Sequence, residues 1–208
     1  MPKRVRICGH PLMAECLAEL RDKRTRPARF RALMEDAGVY LGITALQPLR
    51  TAKKKIVTPL RTGYFRRVDE PVVLIAVLRA GLGFVPGLSR LLPEAPVGFV
   101  GLYRDEETLN PVRYYLNLPK KLRRSRVLLL DPMLATGGSA SESIRLIKEQ
   151  GAKKVCLVTL LSTKPGIRRI QRDHPDTSLV TAAVDPVLNK IGFIEPGLGD
   201  AGDRLFGN

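Results

Sequence analysis

The stretch Val127-Leu128-Leu129-Leu130-Asp131-Pro132-Met133-Leu134-Ala135-Thr136-Gly137-Gly138-Ser139 decides the fold. Four consecutive apolar residues read as a strand covered on both faces, and the strand ends on an acid. A short loop closes on two glycines. A helix is expected from Ser139, where Ser139 and Glu142 have the spacing of a capping box. Working outward, the same continuous apolar signal returns at Val72–Leu78, Val97–Leu102, Val155–Leu161 and Leu179–Val184. Helical periodicity lies between these runs, at Leu82–Leu92, Ser139–Gln150 and Gly166–Asp173. Strand and helix alternating at this spacing predict βαβ units, hence an α/β fold with a central, mostly parallel sheet flanked by helices. Ligands of such sheets sit at the carboxyl ends of the strands, so chemistry is sought in the loops that follow them.

The remainder of the 208 residues fits around this core as one domain. Residues 1–70 begin with two helical patterns, Leu12-Met13-Cys16-Leu17-Leu20 and Phe30-Leu33-Met34-Ala37-Leu41. Pro48, Pro59 and Gly63 around a lysine run then predict an irregular basic connection. Residues 71–185 form the α/β core, and 186–208 a glycine-punctuated tail. Asp105–Pro119, with Tyr114 and Tyr115 between Pro111 and Pro119, reads as a hairpin arm in which the tyrosines pack locally.

Composition narrows the function. At 44% hydrophobic the chain can build a core, which excludes a disordered basic tail. No apolar run reaches membrane-spanning length, no signal peptide is recognisable, and the cytoplasm is the expected location. The three cysteines, Cys8, Cys16 and Cys156, have no CxxC spacing, so reduced thiols are expected. His10 and His174 each precede a proline and read as turn or capping residues, not as catalytic bases. The net charge is +15, concentrated in residues 1–67, which hold 16 Lys and Arg against 5 Asp and Glu. With aromatics at 5% and no Trp, this reads as a solvated basic face, and no specific nucleic-acid partner is expected.

The loop after Val127–Leu130 is an anion cradle by its own chemistry. Glycines let backbone N–H groups turn toward one point, and the helix N-terminus adds positive potential there. Thr136 and Ser139 offer hydroxyls, and Asp131 can accept from sugar hydroxyls. The loop is neither a GxxxxGK[ST] nor a GxGxxG turn. Arg79 and Arg104 each follow an apolar strand, so each displays a guanidinium where strands end, suited to bidentate capture of phosphate oxygens. In Glu195–Asp203, Gly197, Gly199 and Gly202 expose main-chain groups that can read a planar base by its edge.

Asp131–Ser139 resembles the ribose-5-phosphate loop of the phosphoribosyltransferases, in the form with Pro132 carried by the uracil phosphoribosyltransferases. His10-Pro11-Leu12, Leu78–Leu82, Gly101–Asp105 and Pro196–Arg204 match that family in the same order, over essentially the whole chain. The resemblance implies the type I phosphoribosyltransferase fold and the reaction of phosphoribosyl diphosphate (PRPP) with uracil to give uridine monophosphate (UMP) and diphosphate. It implies that PRPP is bound by Arg79, Arg104, Asp131, Pro132, Met133, Leu134, Ala135, Thr136, Gly137, Gly138, Ser139 and Asp200. Of these, Arg79, Arg104, Asp131 and Asp200 carry catalysis. It implies that Ile194, Gly199, Asp200 and Ala201 hold uracil beneath a C-terminal hood, and that the hairpin arm is a flap. Mg²⁺ is expected through PRPP and water, without a protein ligand cage. A homodimer or homotetramer and GTP as an allosteric ligand are further implications. Phe193 departs from the family, which usually has Tyr there, so a hydroxyl contact is lost while the ring is kept. An RNA-binding pyrimidine regulator on the same fold is the alternative, favoured by the basic N-terminal third.

Overall fold

The computed structural model describes residues 5–104, 111–190 and 192–208, with Arg104 and Pro111 described by backbone alone. In chain order, β1 (Val5–Ile7) leads into α1 (Pro11–Arg21) and α2 (Pro27–Leu46). A hairpin follows, β2 (Thr51–Val57) and β3 (Thr62–Val68). Then come β4 (Val72–Leu78), a 3₁₀ turn over Ala80–Phe84, α3 (Val85–Leu91), β5 (Val97–Arg104) and β6 (Pro111–Asn117). The second half holds β7 (Arg126–Leu130), β8 (Met133–Leu134), α4 (Gly138–Glu149), β9 (Lys154–Thr163), α5 (Lys164–Asp173) and β10 (Ser178–Asp185). The tail contributes β11 (Val187–Leu188), β12 (Ile194–Glu195) and α6 (Ala201–Phe206).

The main sheet runs β1-β10-β9-β7-β4-β5-β6, with β8 paired to β9 beyond the end of β7. All pairings are parallel except β5 with β6. The expected architecture is therefore observed. Period-two alternation assigns the two faces. Leu74, Leu128 and Leu130 point to one side, where Leu20 of α1 and Phe30 and Met34 of α2 cover them together with Phe84 and Leu88. Val73, Ile75, Val127 and Leu129 point to the other, under Ile144 and Ile147 of α4 and Ile170 of α5. Each fully buried side chain of this size contributes roughly 1.5–3 kcal/mol, so the two layers together hold the strand ends in fixed relation.

Several expectations need correction. The basic connection is not irregular: β2 and β3 pair in register from Thr51 opposite Val68 to Val57 opposite Thr62. The lysine run hides β-prone residues (Ile56, Val57, Tyr64, Phe65) that pair once charges face solvent on both sides. The helix expected at Leu82–Leu92 begins as a 3₁₀ turn and becomes α-helical only at Val85. The capping box does not form. The N-cap of α4 is Gly137 in the left-handed region (φ +79°), Ser141 N–H donates to its carbonyl at 2.9 Å, and Glu142 pairs with Arg145 instead. Strand β1, short and flanked by charge, gave no sequence signal. His10 does cap: its Nδ1 accepts from Leu12 N–H at 3.2 Å.

Candidate active site

At the carboxyl ends of the strands the cradle loop forms a cavity of about 70 Å³ lined by Asp131 and Met133 through Ala140. Its shape depends on two glycines. Gly137 takes positive φ, and a Cβ there would lie 3.1 Å from the Gly166 carbonyl oxygen. Gly166 lets α5 approach: a Cβ on it would meet the Ala135 and Leu134 carbonyls at 2.6 and 2.8 Å. Thr163 clamps the same junction, its Oγ1 donating to Ala135 O at 2.6 Å while accepting from Gly166 N–H at 3.0 Å. The cradle is thus held against the start of α5 as well as being the start of α4.

Asp131 sits where β7 ends. Its N–H donates to Val158 O at 3.1 Å, fixing the residue to β9. Burial pushes its carboxyl up to about 6, only partly opposed by a long contact from Met133 N–H at 3.5 Å. With so little internal hydrogen bonding, the carboxyl keeps acceptor capacity to spare at the cavity wall. Pro132 lines neither cavity of the site. It is buried, and its carbonyl accepts from Leu160 and Leu161 N–H at 2.9 Å each, pinning the loop to β9.

A second cavity, about 230 Å³, opens beside the first and shares Met133 and Ala135 with it. Its other walls are Gly192, Phe193, Ile194, Gly199, Asp200 and Ala201, so all four residues expected to hold uracil come together. Phe193 lies on this wall with its ring partly exposed. Asp200 caps α6, its Oδ1 accepting from Asp203 N–H at 2.9 Å.

The hood over this cavity is tied down by residues whose role no sequence motif marks. Asp185, at the end of β10 and buried, accepts both guanidinium nitrogens of Arg21 at 2.6 and 2.7 Å and the Gly197 N–H at 2.9 Å. Arg21 also donates to Gly197 O at 2.7 Å. Burial alone would raise the Asp185 carboxyl, but Arg21 and the Gly197 amide outweigh it and hold it below the ordinary value. Arg204 bonds the carbonyls of Leu20, Asp22 and Leu198, with its guanidinium 4.4 Å over the Phe30 ring. A strand ending on Asp was the one signal that could have flagged Asp185, as it did Asp131.

Arg79 lines neither cavity. Its Nη2 donates to Asp203 Oδ1 at 2.7 Å, and the guanidinium lies 5.8 Å from the Phe206 ring centroid. Both partners are about half exposed, so this pair is open to exchange with an anion. The Arg104 side chain and Asp105–Asn110, the tip of the expected flap, lie outside the described residues. Of the arm, β6 is antiparallel to β5, and Tyr103 and Tyr114 pack with ring centroids 6.4 Å apart. Neither histidine and none of the cysteines lines either cavity. Burial lowers the basicity of His174, and the contact of its Nε2 with the Ser141 carbonyl at 2.9 Å opposes this only in part. All three thiols are buried and free, with Cys16 pushed up to about 12 by burial and by nearby Asp36.

A cradle after the central strand, a base-sized cavity beside it and a parallel sheet with an antiparallel edge define the type I phosphoribosyltransferase class. The hypoxanthine phosphoribosyltransferase of Staphylococcus aureus shares the fold at a TM-score of 0.52 and 13% identity, over 75% of this chain and 74% of that one. The AQ2163 protein of Aquifex aeolicus superposes with a TM-score of 0.92 at 35% identity, covering 97% of each chain. Residues 7–208 match the family model described as uracil phosphoribosyltransferase. The chain is 47% identical to the uracil phosphoribosyltransferase of Thermus thermophilus over 98% of its length and 99% of the relative's. It is 45% identical to that of Symbiobacterium thermophilum over 98% of each. The chain belongs to the uracil phosphoribosyltransferase family.

Proposed function

We infer that the protein transfers the phosphoribosyl group of PRPP to uracil, giving UMP and diphosphate, in pyrimidine salvage. The observation that carries this reading is the pair of adjoining cavities: a phosphate cradle and a base-sized space share Met133 and Ala135. In the reaction, uracil N1 bonds to C1 of the ribose as the C1–O bond to diphosphate breaks. Diphosphate leaves with the bonding electrons, and the N1 proton is lost. No covalent enzyme intermediate is needed. The cradle amides and the hydroxyls of Thr136 and Ser139 hold the 5-phosphate, and Asp131 orients the ribose hydroxyls. Arg79, released from Asp203, and Arg104 take the diphosphate. Catalysis then rests on positioning and on stabilising charge as it separates.

Among the described residues no cluster of three or more His, Cys, Asp or Glu could hold a metal by itself. The two carboxylates at the crevice, Asp131 and Asp200, suit an ion carried mainly by substrate oxygens and water. Mg²⁺ bound in that way supplies charge neutralisation on the departing diphosphate. Homo-oligomer assembly is supported by the apolar residues that the β2–β3 hairpin leaves exposed, Val57, Leu60, Tyr64 and Phe65. Regulation by GTP rests on the family resemblance, and a cytoplasmic location on the sequence having no recognisable targeting segment. No described helix is long and apolar enough to cross a membrane.

The test is diphosphate release from PRPP with uracil, 5-fluorouracil, cytosine, adenine, guanine and hypoxanthine in parallel. Cytosine presents an amino donor and a bare acceptor where uracil has a carbonyl and an N–H. Fixed main-chain groups near Ile194 and Gly199–Ala201 cannot rotate to meet that reversal. Rejection by about 10⁴–10⁵ is expected. 5-Fluorouracil keeps both edge groups and is expected to react. Cytosine or hypoxanthine within tenfold of uracil would sink the reading.

A further inference from the structure

The cradle has a feature its lining does not explain. None of the residues around its cavity is cationic, and one, Asp131, is a carboxyl. A phosphate seated there would meet only amides, hydroxyls and a helix terminus. Yet a guanidinium lies against the same glycines. On α5, the stem of Arg169 runs along the loop. A Cβ on Gly137 would be 3.4 Å from Arg169 Cβ and Cδ, and a Cβ on Gly138 would be 3.5 Å from Arg169 Nη1 and 3.7 Å from Thr136 Oγ1. The charged end is therefore close to Gly138, one of the glycines that line the cradle, although Arg169 itself is not part of the lining.

That guanidinium is under-committed. Its Nε is buried with no hydrogen-bond partner, and its ion-pair contact with Asp173 Oδ2 is long, at 3.4 Å. Asp173 is engaged elsewhere, accepting from Arg172 Nε at 2.8 Å and from Ser141 Oγ at 3.1 Å. Among the described residues neither Nη of Arg169 has a hydrogen bond, and the side chain remains 39% exposed. A fixed stem with two free donors, next to a site that takes a dianion and has no cation of its own, is placed to complete the charge balance.

We propose that Arg169 is a further phosphate-binding residue, which adds a charged contact to the 5-phosphate of PRPP and of UMP. The proposal rests on the transferase reading given above, because that reading puts the 5-phosphate in the cradle. Nothing in its sequence position announced the role: Arg169 lies in the helical stretch Gly166–Asp173, where no motif singles it out.

Two substitutions in the full-length protein separate charge from packing. Arg169→Met keeps the aliphatic stem along Gly137 and removes the charge, while Arg169→Lys keeps both. Arg169→Met is expected to raise the PRPP KM and the UMP dissociation constant about tenfold, the scale of one charged hydrogen bond. The kcat, the uracil KM and inhibition by inorganic diphosphate should stay within about twofold, because none of them reports on the 5-phosphate alone. Arg169→Lys should recover most of the loss. Stabilisation by ribose 5-phosphate, read as a melting-temperature shift, should shrink in Arg169→Met and persist in Arg169→Lys. This arm needs no turnover, so it judges Arg169 even if the wild-type protein fails to use uracil, an outcome that would count only against the transferase reading. Arg169→Met binding UMP and ribose 5-phosphate like the wild type would overturn the proposal. So would an equal loss of diphosphate affinity, or a lysine variant no better than the methionine one.

Discussion

The cradle and the hood wall the same crevice but are built in opposite ways. The cradle is contiguous: Asp131 through Ala140 turn from one strand into one helix, and the loop's shape is fixed by Gly137 and by the apposed Gly166. The hood is a short tail that would be loose by itself. It is held by Arg21, from the first helix, and Asp185, from the last strand of the sheet, positions 164 residues apart. The backbone of the cradle is therefore supplied by one short peptide, braced by Thr163 and Gly166, whereas the hood is held by side chains from opposite ends of the chain.

The sharpest way to break this contrast is Gly137→Val. A β-branched residue is strained at φ +79° and its Cβ would crowd the Gly166 carbonyl. The kcat/KM for PRPP should fall by about 10³ or more, the upper range for dismantling a preorganised electrostatic site. A variant that binds PRPP normally would show that the loop is not the cradle.

Asp131→Asn is next. It should keep the fold and cost roughly 2–4 kcal/mol of transition-state stabilisation, about 30-fold to 10³-fold in kcat/KM. The same residue gives a pH signature. Because burial raises its carboxyl to about 6, it is protonated and loses its acceptor charge below that pH. Wild-type kcat/KM for PRPP should fall as pH drops through about 6, and this acid limb should be absent from Asp131→Asn. A limb that survives the substitution belongs to another group.

Asp185→Asn tests the hood. Removing the charge leaves Arg21 partly buried without its counter-ion and weakens the grip on Gly197, so the uracil KM should rise about 10–30-fold. The PRPP KM should stay within about twofold, since the cradle does not touch this pair. The Asp185 carboxyl is held below its ordinary value, so its contribution is present at neutral pH and disappears as pH falls through the folded value. Equal damage to uracil and PRPP binding would mean that the two regions are not separable.

The smallest effect is expected from serine at Cys8, Cys16 and Cys156 together. Each hydroxyl is placed where a buried thiol was, most severely at Cys156 within β9, so some stability is lost, about 1–3 kcal/mol. The kcat should stay within about twofold. A collapse of kcat with the fold intact would point to a thiol in the chemistry.

By itself the sequence determined the alternation of five apolar strands with helices, the position of the ligand crevice at their carboxyl ends, and the cradle from Asp131 to Ser139. These are local properties: periodicity is set by backbone geometry within a few residues, and a glycine turn is legible wherever it occurs. Tertiary structure alone decided what depends on distant partners. It joined Arg21 to Asp185, Arg79 to Asp203 across 124 residues, and the stem of Arg169 to the glycines of another loop. It also turned the lysine-rich connection into a hairpin, because strand pairing is settled by the opposite strand and not by the charges that each strand shows to water. A charged side chain has no preferred partner until folding excludes water and brings one within reach, so the pairings of Arg21, Arg79 and Arg169 could not be read before the fold.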